Sequence, residues 1–278
     1  PVTFSGGVAS VASGDIMSIK HIIEAQNCQL LRYGDSTAKD VTLSFWMKSP
    51  KTGTHCVSLY QSDTGRGYIK EFTIASANTW EQFKITFPGD TGGAGINDDT
   101  GSGLNIDWPL ICGTGEQGSA DSWLASGKFA TSNQQNLTDN ASNDVYLTGV
   151  QLELDGATDF EHEGYGTTLR KCFRYFERQG HEALYTRLGV GVNVSASAIY
   201  YSQWYHPKRV YPSLTMTGTI YANVYPGTAG TTFAAVDYAS TQSAMITISG
   251  GSGLTTGGAA LCATYPTVND YLNINAEL

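Results

Sequence analysis

The chain has 278 residues and a formal net charge of −9, with only 15% charged residues. That length suits one large β domain or two ordinary ones, two being the expectation, and the acidic balance argues against general nucleic-acid binding. No run of about 18 apolar residues occurs to insert in a membrane, and no signal peptide is visible; a start at Pro1 without Met points to processing or to a piece of something longer.

Taken in order, residues 1–40 are a lead-in. Val2 to Val11 reads as a strand or extended arm, and Ile16, Ile19, Ile22 and Ile23 as a β-branched strand after a Gly14-Asp15 turn. Val41–Ser49 alternates cleanly, with Val41, Leu43, Phe45 and Met47 on one face and Thr42, Ser44, Trp46 and Lys48 on the other. Trp46 fits either an inward position or a strand apolar on both faces. Pro50 stops this strand, and His55–Tyr60, Tyr68–Ala75 and Trp80–Phe87 follow, with Trp80 read as core. Pro88 to Gly103 is a Gly- and Asp-rich loop, Leu104–Cys112 a strand carrying Trp108, and Gly113 to Asn143 a polar excursion holding Trp123 and Phe129. Loops this long inside a compact domain point to function or an interface.

From Asn143 to Arg178 the character of the chain changes. Val145, Leu147, Val150, Leu152 and Leu154 make a last strand, an acidic loop follows, and Thr167–Phe173 reads as one helical turn. Beyond Gly180 the pattern is strands again: Leu184–Val194, Ala198–Trp204, Leu214–Tyr225, Phe233–Tyr238, Ala244–Ile248, Leu261–Tyr265 and Asp270–Glu277, with turns such as Pro226-Gly227 between them. The 32 glycines and the many aromatic and β-branched residues in short runs predict an all-β chain of two tandem antiparallel sandwiches, residues 1–165 and 166–278.

Charge is segregated. Between Lys84 and Lys128 lie Asp90, Asp98, Asp99, Asp107, Glu116 and Asp121 with no Lys or Arg, whereas Arg170, Lys171, Arg174, Arg178, Arg187, Lys208 and Arg209 crowd together. These are either solvated faces or a basic belt that meets an acidic surface of a neighbouring chain. Cys28, Cys56, Cys112, Cys172 and Cys262 have neither disulfide-framework nor zinc spacing. They are expected to be reduced and mostly buried, as suits assembly in a cytoplasm, and the sequons at Asn136, Asn140 and Asn193 read as chance matches.

The blocks VTLSFWMKSPKTGTHCVSLYQ, IKEFTIASANTWEQFKITFPGDTGG and YLTGVQLELDGATDFEHEGYGTTLRKCFRYFER, in that order, resemble the C-terminal region of bacteriophage tail-fibre and related virion structural proteins. The resemblance spans roughly residues 20–180 and implies a carbohydrate-binding-module-like jelly roll, followed by a terminal sandwich in YHPKRVYPSLTMTG and NINAEL. It implies a place in the virion, other virion chains as partners and a homotrimer, but supplies no catalytic residues.

Function is then expected to be attachment to a host surface glycan. Aromatic rings meet the C–H face of a sugar and short polar side chains bond its hydroxyls. Trp108 and Trp123 with Asp107, Asp121 and Asn105, and Tyr201 and Trp204 in IYYSQWYHP, are the candidate sugar contacts. Loop anchoring and subunit burial are the competing readings. Arg170, Lys171, Arg174, Arg178 and Tyr205 are candidate interface residues. A structural calcium would use Asp90, Asp98 and Asp99. No nucleophile elbow, H-E-x-x-H or P-loop occurs. Asp159, Glu161 and Glu163 read as a solvated turn, a cation site or an interface site rather than a catalytic pair, and His55, His162, His181 and His206 as surface or interface residues. The rival functions are a purely structural decoration protein and a capsule depolymerase.

Overall fold

A computed structural model describes residues 2–8, 10–180, 186–224, 232–265 and 270–278. The chain is all-β and forms two compact units, Pro1–His162 and Glu163–Leu278. His181, the Pro226-Gly227 turn and residues 184–185 of the expected strand lie outside the described residues.

The first unit holds β1 (Ile16–Glu24), a 3-10 helix (Ala25–Leu31), β2 (Val41–Lys48), β3 (Gly53–Gln61), β4 (Gly67–Ile74), β5 (Glu81–Phe87), β6 (Ser102–Cys112), the two-residue β7 (Trp123–Leu124) and β8 (Tyr146–Leu154). Two antiparallel sheets form, in orders β1-β6-β3-β4-β7 and β5-β2-β8. Alternation explains the packing. Leu43, Phe45 and Met47 from β2 and Phe87 from β5 pack with Leu59, Leu104, Ile106 and Trp108 of the larger sheet in one core. Val2 pairs with Val145 as an isolated bridge and no named strand covers the described residues of 2–11, so of the two readings of this segment the arm fits.

One glycine is required in β8. Gly149 has φ +58 and sits where the β2 register shifts between Ser44 and Trp46. This is the geometry of a bulge, whose extra residue turns the alternation over. Leu147 therefore pairs with Met47 and Leu152 with Leu43, an odd and an even position both aligned with inward residues.

Apart from β7, which adds to its edge, part of the segment 113–135 lies on the outer face of the five-stranded sheet. Leu124, Phe129 and Ala130 close a small cluster on Cys56, Ile69 and Cys112, and the Cys56 N–H donates to Gln134 Oε1 at 2.7 Å. The long excursion is a cover, which explains its apolar residues.

The second unit contains α1 (Tyr165–Phe173), β9 (Phe176–Gln179), β10 (Arg187–Asn193), β11 (Ile199–Trp204), β12 (Ser213–Thr217), β13 (Thr219–Val224), β14 (Thr232–Ala239), β15 (Ser243–Ser249), β16 (Ala259–Tyr265) and β17 (Tyr271–Asn275). A six-stranded sheet, β13-β16-β10-β11-β15-β14, packs on a three-stranded one, β12-β17-β9. The strand expected over 214–225 is broken in two at Gly218, which has φ +77; a Cβ there would lie 1.8 Å from Asp270 Oδ1, so only glycine fits.

The five cysteines are free, four of them buried and Cys172 exposed. Burial pushes the Cys28 and Cys112 thiols up to about 11, so they stay protonated.

Candidate functional site

The exposed aromatic residues of the first unit gather on the outer face of the sheet β5-β2-β8. Since Phe45 and Met47 point into the core, Trp46 points out and is 39% exposed. Register sets Gln82 of β5 and Thr148 of β8 on either side of it, and Ser44 between Lys84 and Gln151. Trp80, just before β5, is 40% exposed and lies edge-on to Tyr146 at 6.1 Å, correcting its reading as core. Lys48 Nζ sits 4.1 Å from the Tyr146 ring centre and 5.7 Å from that of Trp80, a cation held between two rings.

The loop after β8 docks onto this face. Gln151 Oε1 accepts from the Glu161 N–H at 2.8 Å, and Glu153 accepts from the Thr158 N–H and, at 2.5 Å, from its hydroxyl. The Thr158 hydroxyl and Gln151 hold the Glu153 carboxyl below its ordinary value, with Lys84 adding to this. Phe160, 44% exposed, is thereby set beside Gly149, with His162 edge-on to it at 4.9 Å. A Cβ on Gly149 would meet Trp46 at 3.1 Å and Phe160 at 3.9 Å. The two rings thus converge over a position that has no side chain. The result is an open surface of aromatic planes interleaved with amide, hydroxyl and ammonium groups.

Most residues singled out from the sequence lie elsewhere. Trp108 is a core residue, 2% exposed, against Phe45 at 5.6 Å, because it shares the inward face of β6 with Leu104 and Ile106. Asn105 and Asp107 are on the outer face of β6 and are buried all the same. Trp123 anchors its loop: its Nε1 donates to Pro88 O at 3.0 Å and its ring meets Tyr33 and Tyr68 edge-on. Asp121 is exposed and pairs with Lys70 at 2.5 Å. Tyr201 is 2% exposed, correcting its assignment as a sugar contact, whereas Trp204 beside it in the sequence is 68% exposed. His55 is buried, with Nε2 3.1 Å from Lys51 O and its ring near Phe72, so it is no surface residue.

Asp107 accepts from the Ser18 hydroxyl at 2.7 Å and lies 3.5 Å from Lys20 Nζ, while its Oδ2 is without a partner among the described residues. Burial pushes its carboxyl above the ordinary value despite those partners. A raised carboxyl costs stability as pH rises past its unfolded value, about 3.9, through the folded one. Asp107→Asn is therefore expected to remove that loss and leave the thermal midpoint at pH 7 equal to wild type or higher. A midpoint lowered by about 3 °C or more, on the order of 1 kcal/mol for a unit of this size, would show that the charge is needed.

The proposed calcium ligands do not assemble. Asp90 accepts from Arg66 at 2.6 and 2.9 Å and from Gln61 at 2.6 Å. Asp99 caps its own turn, accepting from the Gly101 N–H at 2.7 Å. Among the described residues no three His, Cys, Asp or Glu side chains gather to hold a metal ion. Asp159 and Glu161 lie in the first unit and Glu163 in the second, where it pairs with Lys171.

The basic belt is largely engaged within its own unit. Lys208 is buried on Glu177 at 3.0 Å. Arg209 Nη1 donates to Ala276 O at 3.2 Å, and its N–H to Arg174 O at 3.1 Å. Arg178 Nε donates to Asn273 and its guanidinium lies 3.9 Å from the Tyr271 ring centre. Tyr205 is buried with its hydroxyl on Ser240 O, which corrects its assignment to a chain–chain contact. Arg170 remains exposed on α1. No protein-family model matches the chain, and no curated protein matches it.

Proposed function

We propose that this chain is a non-enzymatic component of a bacteriophage virion appendage, and that the outer face of β5-β2-β8 binds a host surface glycan. The observation that carries the reading is Trp46, Trp80 and Phe160 exposed among Gln82, Thr148 and Lys48 on one face. Rings offer the C–H side of a sugar a dispersive surface, and the polar neighbours supply hydrogen bonds to its hydroxyls. The face is open, so each contact is weak. Display in three copies on a fibre makes such contacts effective by multivalency. The virion setting and the trimer rest on the resemblance of the three sequence blocks.

A glycan array probed with the assembled protein tests this. Trp46→Ala is expected to weaken retention about tenfold per site, the equivalent of ~1.5 kcal/mol of aromatic burial. Trp123→Ala is expected to leave binding intact. Binding to no glycan by wild type, or equal binding by Trp46→Ala, would sink the proposal. Release of reducing sugar from a bound polysaccharide would favour the depolymerase instead.

A further inference from the structure

A second surface has a different chemistry. On the six-stranded sheet of the second unit, Ile199, Tyr201, Ile246 and Ile248 point into the core, so their neighbours on β11 and β15 face outward. Register lines up Val192 with Tyr200 and Tyr200 with Thr247, then Ser202 with Met245, then Trp204 with Ser243. Val190 is 73% exposed, Trp204 68% and Tyr238 76%. A shallow depression of about 300 Å³ lies between Val190, Val192, Tyr200 and Met245. Exposed apolar faces of this extent mark association sites in soluble proteins.

We infer that this face packs against the same face of another copy of the chain. Two observations select that occupant. The first is charge. The exposed charged residues on these strands are Arg187 of β10 and Asp237 of β14, of opposite sign and on different strands. A face without net charge lets two copies meet without like-charge repulsion, which contact between identical surfaces must avoid. A strongly charged partner would meet one charge of each sign here and gain no net attraction. The second is size. Six strands ~4.8 Å apart and seven residues of ~3.3 Å rise give roughly 29 by 23 Å, or about 670 Å², at the lower end of the ~600–1,000 Å² that each partner buries in a specific interface. The aromatic enrichment and the lack of charge at its centre are those of an interface core. Unlike the aromatic face of the first unit, this one joins its rings to aliphatic side chains, which suits protein better than sugar. The inference does not depend on glycan binding; only whether the pair joins single chains or trimers rests on the functional reading.

The test is the mass of the whole chain in solution by multi-angle light scattering across a micromolar range. One chain weighs 29.8 kDa. A same-face contact is two-fold, so wild type is expected at an even multiple of that mass, two chains, or six if the face joins two trimers, and the double variant Trp204→Glu/Tyr238→Glu at half the wild-type mass. Both side chains are largely exposed, so neither change disturbs the core; unchanged circular dichroism checks this. A wild-type mass of six chains supports both the inference and the trimer; two chains supports the inference and overturns the trimer alone. Wild type at one chain or at three overturns the inference, as does a double variant that keeps the wild-type mass.

Discussion

Replacing Arg66 with alanine is expected to destabilise the first unit by about 3–5 kcal/mol, the effect of stripping the partner from a buried charge. Asp90 is 1% exposed, and Arg66 grips it with both Nε and Nη2. Gln61 and the Gly92 N–H complete the set, and the Asp90 carbonyl accepts from the Gly34 N–H at 2.7 Å. One carboxylate thus ties the hairpin at residues 61–67 to the loop after β5 and to the lead-in. Without Arg66 the charge stays out of water with two neutral donors. Arg66→Lys is expected to recover only part of the loss, since a single ammonium cannot make the two-pronged contact. The double change Arg66→Met/Asp90→Leu is expected to cost less than Arg66→Ala, because it leaves no charge behind. The fall in the urea midpoint, followed by the fluorescence of Trp108 and Trp123 in this unit, measures each. A loss below about 1 kcal/mol for Arg66→Ala would place the pair among surface bridges.

Lys208→Ala is expected to be as severe in the second unit, again about 3–5 kcal/mol. The Lys208 ammonium is fully buried between Glu177 Oε2 at 3.0 Å and Phe173 O at 2.6 Å. The His206 N–H and Gln179 also donate to the same carboxylate, and the His206 ring stacks on Phe173 at 4.1 Å. Burial pushes the Glu177 carboxyl up, but the bonds from Gln179, His206 and Lys208 together outweigh it, and its value is lowered. A lowered carboxyl contributes stability that is complete above the unfolded value, about 4.3. That contribution disappears as pH falls through the folded value. Wild type is therefore expected to lose stability on the acid side of about pH 4, and Lys208→Ala to show a shallower acid slope. Hydrogen exchange of the β9 and β11 amides between pH 3 and 7 reports it; equal slopes would mean that Lys208 does not set the Glu177 charge.

These two clusters show what was hidden in the sequence. Asp90 looked like a cation ligand because its neighbours are acidic and Gly-rich, yet its partner Arg66 lies one hairpin away. Lys208 looked like part of a solvent-facing belt, yet the turn after β11 carries it onto Glu177. Neither partner shares a strand with its acid, so no local spacing reveals the pairing. The aromatic face is the opposite case. Trp46 and Trp80 share their parity with Lys48, Gln82 and Lys84, while Phe45, Phe83 and Phe87 take the other. Alternation alone assigns both tryptophans to the outside; large apolar size had drawn Trp80 inward. The same rule puts Trp108 with Leu104 and Ile106, and Tyr201 with Ile199, inside the cores.

What the sequence determined by itself is the all-β class, most of the strands, and the change of character near residue 165. Those follow from a period of two and from turn chemistry, which are properties of adjacent residues. What only the tertiary structure decided is which outward face meets water. Asp107 points outward from β6 and is buried against Ser18 and Lys20 of the distant β1, and Cys56 and Ile69 are covered by Leu124, Phe129 and Ala130; Trp46 and Trp204 point outward and stay exposed. Covering a face takes chain from far along the sequence, and an alternation pattern carries no record of where that chain goes.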